Sequence, residues 1–201
     1  MWWVDAPGDL AQARPGTYLA RVATERVAQL QALCDAGMRV VDVGVTLART
    51  GTAQPLRLEW AEPGDAEALA RIAETAFTRT RFHLDPDIPD AVATAIKRDW
   101  VANALAGARG DGVLVQRRDG VAVGFLVLVK RGDDAVIDLI GVAPEHQGAG
   151  VGRTLVRGLL GMVPGAVSVG TQAANVGSIR FYERLGFGTT ATVYNLHRHV
   201  A

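Results

Sequence analysis

The sequence predicts a mixed α/β fold, in which a central, mostly antiparallel sheet is flanked by helices and preceded by a small β-α-β unit. Three observations carry this. Stretches of period-two alternation, such as Val41 to Leu47 and Ala135 to Val142, interleave with stretches whose apolar residues recur at helical spacing. Arg118-Asp119-Gly120 joins two alternating apolar runs, a strong hairpin signal. A glycine-rich turn, Gln147-Gly148-Ala149-Gly150-Val151-Gly152, leads from a strand into a helix.

Taken in order, Tyr18 to Ala23 reads as the first strand. Val27, Leu30, Leu33 and Cys34 then share a helical face, which makes Cys34 a small core residue, and Gly37 suits the helix stop. Val41 to Leu47 follows as a strand. Residues 49 to 55 are polar, carry Gly and Pro and have no period, so the domain boundary is placed there. Residues 1–52 form the small N-terminal domain and residues 53–201 the main one.

A strand at Leu56 to Trp60 opens the main domain, and Pro63-Gly64-Asp65 starts a helix reaching Phe77. The loop from Arg79 to Pro89 contains two prolines and ends that helix, and a second helix runs on to about Ala106, with Val92, Ile96, Trp100 and Leu105 as its apolar members. Gly112 to Arg117 and Val121 to Lys130 are the hairpin strands. Val151, Leu155, Val156, Leu159 and Leu160 supply a buried face to the helix after the glycine turn. A shift of 149 residues sets Leu33-Cys34-Asp35-Ala36-Gly37-Met38 on Tyr182 to Phe187, Leu47 on Leu196 and Arg49 on Arg198. The N-terminal unit therefore reads as a degenerate half-copy of the C-terminal one, without the glycine turn and with Leu33 in place of a tyrosine.

Composition narrows the partners. Lys plus Arg and Asp plus Glu both number 21, so there is no basic surplus of the kind a nucleic-acid binder uses against phosphates. The pairs Lys97-Arg98, Arg117-Arg118 and Lys130-Arg131 read as solvated strand ends and helix faces. Val121 to Val129 is the longest apolar stretch, too short for a membrane span, and the first residues lack the pattern of a signal peptide. A cytoplasmic protein with no membrane partner is expected. Cys34 is the only cysteine, which excludes an intrachain disulfide and argues against a thiolate metal site. His197 and His199 have no further ligand at metal spacing, so no metal is expected.

Glycine turns bind phosphates because bare backbone lets several N–H groups converge and the helix behind adds positive partial charge. A Walker loop would need Gly at Gln147 and Lys at Arg153, and a dinucleotide fingerprint from Gly148 would need Gly at Arg153. What remains is Gln-x-x-Gly-x-Gly. The run Ile137 to Val156 around it resembles the strand–turn–helix of the GNAT superfamily of N-acetyltransferases. Asn175-Val-Gly-Ser-Ile-Arg-Phe-Tyr-Glu-Arg-Leu-Gly-Phe187 looks like that superfamily's second motif, in the right order and at the right separation.

The resemblance implies a GNAT fold and acetyl-coenzyme A as donor. It sets the backbone of Leu139, Ile140, Gly141 and Val142 along the pantetheine arm, and Gln147, Gly148, Ala149, Gly150, Val151, Gly152 and Arg153 on the pyrophosphate. Asn175 and Tyr182 fall at the other cofactor-facing positions, and seven residues on a helix bring two side chains within roughly 20° of one face. Asn175 also suits a plain N-cap, and Tyr182 plain core packing.

Residues Ala73 to Phe82, Asp87 and Arg98 to Gly107 are further similar to the acceptor-side helices of the WecD type, which acetylates dTDP-4-amino-4,6-dideoxygalactose. The N-terminus here is shorter than in that type, which leaves its contribution to the acceptor site open. The resemblance implies direct attack of a sugar amine on the thioester and Tyr182 as general acid for the departing thiolate. Asp138 is either a general base or an ordinary polar strand residue. Arg79, Arg81 and His83 would meet the diphosphate and Trp100 would form a wall, or else they belong to a solvated loop beside a buried aromatic. A peptide N-terminal or small-molecule amine acetyltransferase and a non-catalytic acyl-coenzyme A sensor are the alternatives. A homodimer is the default assembly.

Overall fold

In a computed structural model, which describes residues 1–11, 13–50, 56 and 58–201, the chain forms one nine-stranded sheet with helices on its faces. The elements are β1 (Trp2–Trp3), β2 (Gly16–Ala23), α1 (Val27–Asp35), β3 (Arg39–Arg49) and β4 (Glu59–Trp60). Then come α2 (Ala66–Ala76), α3 (Asp90–Leu105), β5 (Gly112–Arg118), β6 (Val121–Arg131) and β7 (Asp134–Val142). The remainder is α4 (Val151–Met162), β8 (Val167–Gln172), α5 (Val176–Glu183) and β9 (Gly188–Val200). Strand order across the sheet is β1-β2-β9-β3-β8-β7-β6-β5-β4. Only the β1–β2 and β7–β8 pairs are parallel among the described residues, in keeping with the predicted mostly antiparallel sheet.

Local chemistry accounts for most element ends. Asp119 and Gly120 both take positive φ, 50° and 80°, the left-handed pair that a tight hairpin between β5 and β6 demands. Gly37 and Gly186 have φ of 88° and 83° and close α1 and α5 in the same way. In each case the residue after the glycine donates to a carbonyl five residues back: Met38 to Leu33 at 3.0 Å and Phe187 to Tyr182 at 3.1 Å. The core lies on both faces of the sheet. On one side Leu155, Leu159 and Leu160 of α4 and Tyr182 of α5 pack on Leu126, Leu128 and Leu47. On the other, Leu69 and Ile72 of α2 and Val101 of α3 pack on Phe125 and Val127.

The offset of 149 residues seen in the sequence is a structural relationship. Applied to β2-α1-β3, it lands on β8-α5-β9. Pairing obeys it too. Gly44 faces Val193, its own counterpart; Arg39 faces His197 while Ala48 faces Gly188; and Tyr18 faces Arg198 while Val167 faces Arg49. The two units are related by a pseudo-twofold axis through the Gly44–Val193 pair. They also interleave, because β3 sits between β9 and β8. Residues 1–49 thus contribute strands to the main sheet instead of a sheet of their own, and the 52/53 boundary itself falls outside the described residues.

Three further expectations change. Cys34 is exposed, since α1 buries Leu33 at the same turn and faces only one element. The strand expected from Leu56 is described only as Glu59–Trp60. Lys97, read as part of a solvated pair, is buried.

Candidate active site

The sheet splits at its centre. β7 and β8 pair only where Ala135–Ile137 meet Val167–Val169, and beyond that the strands part. The cleft between them is a cavity of about 390 Å³, with Asp138, Leu139 and Ile140 on one wall and Gly170, Thr171 and Gln172 on the other. On its far edge β7 stays paired to β6, with Leu139 opposite Val127 and Ile140 opposite Leu126. Its near edge therefore offers backbone groups without a strand partner to anything that enters. Leu128 faces Ile137 and Val127 faces Leu139, so Asp138 is the extra residue of a β-bulge.

The mouth of the cleft carries the glycine turn. A cavity of about 590 Å³ runs along Ile140, Gly141 and Val142, across Gln147 to Arg153, and onto Gly177, Phe181 and Tyr182 of α5. Every predicted turn residue except Ala149 lines it, whereas Leu139 and Asn175 line the adjoining cleft. Gly148 and Gly150 have φ of 77° and 84°, a conformation that leaves their amides free of Cβ atoms, and α4 starts directly behind. Its first turn brings unpaired N–H groups and positive partial charge to the cavity. Gln147 Nε2 donates to the carbonyl of Val142 at 3.3 Å and ties the turn to the end of β7.

α5 begins with Asn175, whose Oδ1 accepts the Ser178 N–H at 3.3 Å, so capping does occur there. Asn175 and Tyr182 line the same cleft, as their seven-residue spacing predicts. Tyr182 is 1% exposed, held edge-on between Phe181 and Phe187 at centroid distances of 5.0 and 5.3 Å. Its hydroxyl has no hydrogen-bond partner in the protein. Burial pushes its pKa well up, so it stays protonated and able to donate.

A third cavity, of about 600 Å³, opens on the other side of the cleft near the pseudo-twofold axis. Its walls come from distant segments: Trp3, Arg21, Arg81, Lys97, Trp100, Arg109 and Asn195. Arg81 is half-buried, its buried Nε lacks a partner, and its guanidinium lies 4.6 Å from the Phe82 ring and 5.6 Å from Trp3. Burial, and then the charge of Arg21, lower its pKa to about 10. Trp100 is stacked between cations, with Lys97 Nζ at 3.7 Å and Arg109 Cζ at 3.9 Å from its ring. Arg109 also grips Asp138 through two bonds of 2.6 and 2.9 Å, which takes up both carboxylate oxygens.

The acceptor-side expectations divide accordingly. Arg81 and Trp100 line the large cavity and Arg79 lines the cleft. His83 does not join them. Its ring is turned to Thr80 at 2.7 Å and Thr94 at 3.4 Å, and none of these three cavities is lined by it. Trp3, Arg21, Lys97 and Arg109 were missed because nothing local in the sequence links four segments spread over residues 3 to 109.

His197 and His199 do have a partner. Asp85 Oδ2 lies 2.5 Å from His197 Nδ1 and 2.8 Å from His199 Nε2, and Thr17 meets the far side of His199 at 3.1 Å. Asp85 is 112 residues from His197, so spacing could not reveal the cluster. These three are the group among the described residues whose side chains could hold a metal ion. As they stand, one carboxylate oxygen serves both rings and pins the loop after α2 to β9.

A split sheet, a glycine turn at its mouth and a buried tyrosine on the facing helix define an acyltransferase. The chain matches the family described as Acetyltransferase (GNAT) family over residues 67–187, and it belongs to that family. It is 34% identical over 140 residues to the spore coat polysaccharide biosynthesis protein SpsD of Bacillus subtilis (strain 168), an alignment covering 68% of this chain and 48% of that protein. The chain thus spans about half the length of that relative. It is 27% identical over 182 residues to a dTDP-fucosamine acetyltransferase of Escherichia coli O6:H1, covering 89% of this chain and 80% of the other. A GCN5-related N-acetyltransferase from Sphaerobacter thermophilus shares the fold, with a TM-score of 0.61 at 19% identity over 92% of this chain and 60% of that one. No helix among the described residues is long and apolar enough to cross a membrane.

Proposed function

We propose that this acetyltransferase moves the acetyl group of acetyl-coenzyme A directly onto the amine of a dTDP-linked amino-deoxy sugar. The observation that carries this reading is the cationic, aromatic cavity beside the cleft, in which half-buried Arg81 has a buried, unpartnered Nε. Asp42 is the nearby internal charge that favours the Arg81 guanidinium, but no carboxylate forms an ion pair with it among the described residues. Its fork is thus open to a ligand anion, and a diphosphate matches its geometry. Arg21, Arg81 and Arg109 would meet the diphosphate, and Trp3 offers an exposed ring for a base. The sugar would then point through the junction toward the cleft. Two relatives whose names place them in amino-sugar and coat-polysaccharide chemistry support the same acceptor class.

The donor would enter from the glycine turn. Its pyrophosphate would lie on the amides of residues 147–153 and its pantetheine arm along the free edge of Leu139 to Val142. A backbone N–H of Ile140 to Val142 would hold the oxyanion as the amine attacks. Tyr182, protonated and unpartnered, would donate to the departing thiolate. Asp138 acts here as the anchor of Arg109 and not as a base, because both its oxygens are engaged. The N-terminal unit supplies part of the acceptor wall and has no donor site, since Leu33 stands where the tyrosine would be.

The test is thiol release from acetyl-coenzyme A with a panel of amines: dTDP-amino sugars, peptides and simple amines. Turnover with the dTDP-amino sugar is expected. Turnover on peptides alone would sink the sugar assignment, and none on any amine would point to a sensor.

A further inference from the structure

The acceptor cavity and the cleft share a junction, and two titratable side chains stand at it among the described residues: Asp138 and Lys97. Asp138 is clamped by Arg109. Lys97, projecting from α3, is 6% exposed and lines both cavities, so a molecule reaching from one to the other passes its amine. Among the described residues Lys97 forms no ion pair and no side-chain hydrogen bond, and the nearby Asp138 is held by Arg109 instead. Its neighbours are the rings of Trp100, Phe77 and Phe82, at 3.7, 5.6 and 5.8 Å.

We propose that Lys97 is the general base of the reaction, taking a proton from the acceptor's ammonium group as that group passes into the cleft. The inference rests on acetyl transfer to an amine and deepens the reading of the acceptor site.

The surroundings suit a neutral lysine. The aromatic faces favour the ammonium form, whereas burial, followed by the guanidiniums of Arg81 and Arg109, pushes the pKa down, with Arg21 adding a smaller push. Asp138 is the one nearby group that pulls the other way, and His83 is near enough for its own pKa to be lowered by burial and then, after the opposing pull of Asp90, by the Lys97 charge. The outcome is a pKa of about 7, near the optimum for a base at neutral pH.

The step balances without a co-reactant. The acceptor ammonium gives one proton to Lys97, and the freed lone pair forms the N–C bond to the thioester carbonyl. The C–S bond then breaks and the thiolate takes a proton from Tyr182. The new amide nitrogen sheds its surplus proton, which restores the tyrosine. Lys97 releases its own proton to solvent through the larger cavity, so an ammonium and a thioester yield an amide, a thiol and one proton.

The chain has two lysines, Lys97 and Lys130, which makes a direct test simple. With an isotopic label at lysine Cε, NMR titration should show one resonance moving near pH 7, absent from Lys97→Met. An ordinary lysine titration at Lys97, around 10, overturns the proposal. In steady-state kinetics with dTDP-4-amino-4,6-dideoxygalactose, Lys97→Met should lower kcat by about a hundredfold and erase the acid limb near pH 7, with KM changed little. Lys97→Arg keeps the charge but cannot accept a proton, so it should be as slow as Lys97→Met. Full activity of Lys97→Arg, or an unchanged acid limb in Lys97→Met, overturns the base. The titration needs no acceptor, so it separates the two ideas. Lys97-dependent turnover of a peptide or a simple amine would overturn the sugar reading alone.

Discussion

Arg49 donates to the carbonyl of Leu185 at 2.6 Å, and Arg198 donates to the carbonyl of Ala36 at 2.8 Å. Both donors and both acceptors are separated by the same 149 residues. Each arginine, on the strand of one unit, closes the C-terminus of the helix in the other, where unpaired carbonyls and the negative end of the helix dipole favour a cation. The pseudo-twofold is therefore held by a reciprocal pair of bonds as well as by strand pairing.

The two arginines should differ in consequence. Each replacement by Ala should cost about 1 kcal/mol, since both side chains are partly solvated and each bond is charge-assisted. Thermal unfolding measures this. Arg49→Ala should also weaken activity, because α5 carries Asn175 and Tyr182, whereas Arg198→Ala should leave turnover within a factor of about two. Equal losses of activity would contradict this division.

Tyr182→Phe separates chemistry from packing. The hydroxyl makes no internal hydrogen bond, so its removal should leave stability unchanged or slightly raised. If Tyr182 is the general acid, its loss lowers kcat by about a hundredfold with acetyl-coenzyme A affinity preserved. Isothermal titration and thiol-release kinetics on one preparation test both halves. Unchanged kcat would remove Tyr182 from the acid role.

Gly150 sits at φ of 84° at the start of α4. Nothing lies within 4 Å of a Cβ built there, so Gly150→Ala meets no clash and is penalised only through its left-handed backbone. That strain, about 1 kcal/mol, should distort the turn and weaken acetyl-coenzyme A binding roughly tenfold, with a small fall in melting temperature. Binding as tight as in the parent would place the pyrophosphate elsewhere.

Asp85→Ala leaves His197, which is 2% exposed, without its partner. Breaking this buried pair should cost about 2–3 kcal/mol and free the loop that carries Arg81, raising the acceptor KM more than the donor KM. Exhaustive removal of divalent cations from the parent should leave thermal unfolding unchanged, because the carboxylate already serves both rings. A fall of several degrees would make the cluster a metal site.

Lys97 also gives stability a pH dependence with a definite sign. Its folded pKa, about 7, lies below the ordinary lysine value of 10.5, so the unfolded chain binds more protons in between. The Lys97 contribution to stability therefore rises as pH climbs from about 7 towards 10.5, and Lys97→Met should flatten that rise. Parallel urea titrations of the two proteins across this window provide the measure. Identical slopes would mean that Lys97 is solvated in the folded state.

The local geometry of the proposed donor half was legible because its information is local. The hairpin at Asp119-Gly120, the glycine turn at residues 147–152, the Asn175 cap and the Tyr182 face each follow from a few consecutive residues and their backbone preferences. So was the 149-residue offset, which a single chain displays as pattern. Three things were decided only by tertiary structure. β3 inserts between β8 and β9, which turns an apparent N-terminal domain into part of the main sheet. Asp85 meets two histidines more than a hundred residues away. Trp3, Arg21, Arg81, Lys97 and Arg109 converge on one cavity. Such groupings arise from long-range strand pairing and burial, whose energies depend on which surfaces meet and not on sequence neighbours. A lysine that reads as one half of a solvated pair thus becomes, once α3 packs against the sheet, a buried amine at the junction of two cavities.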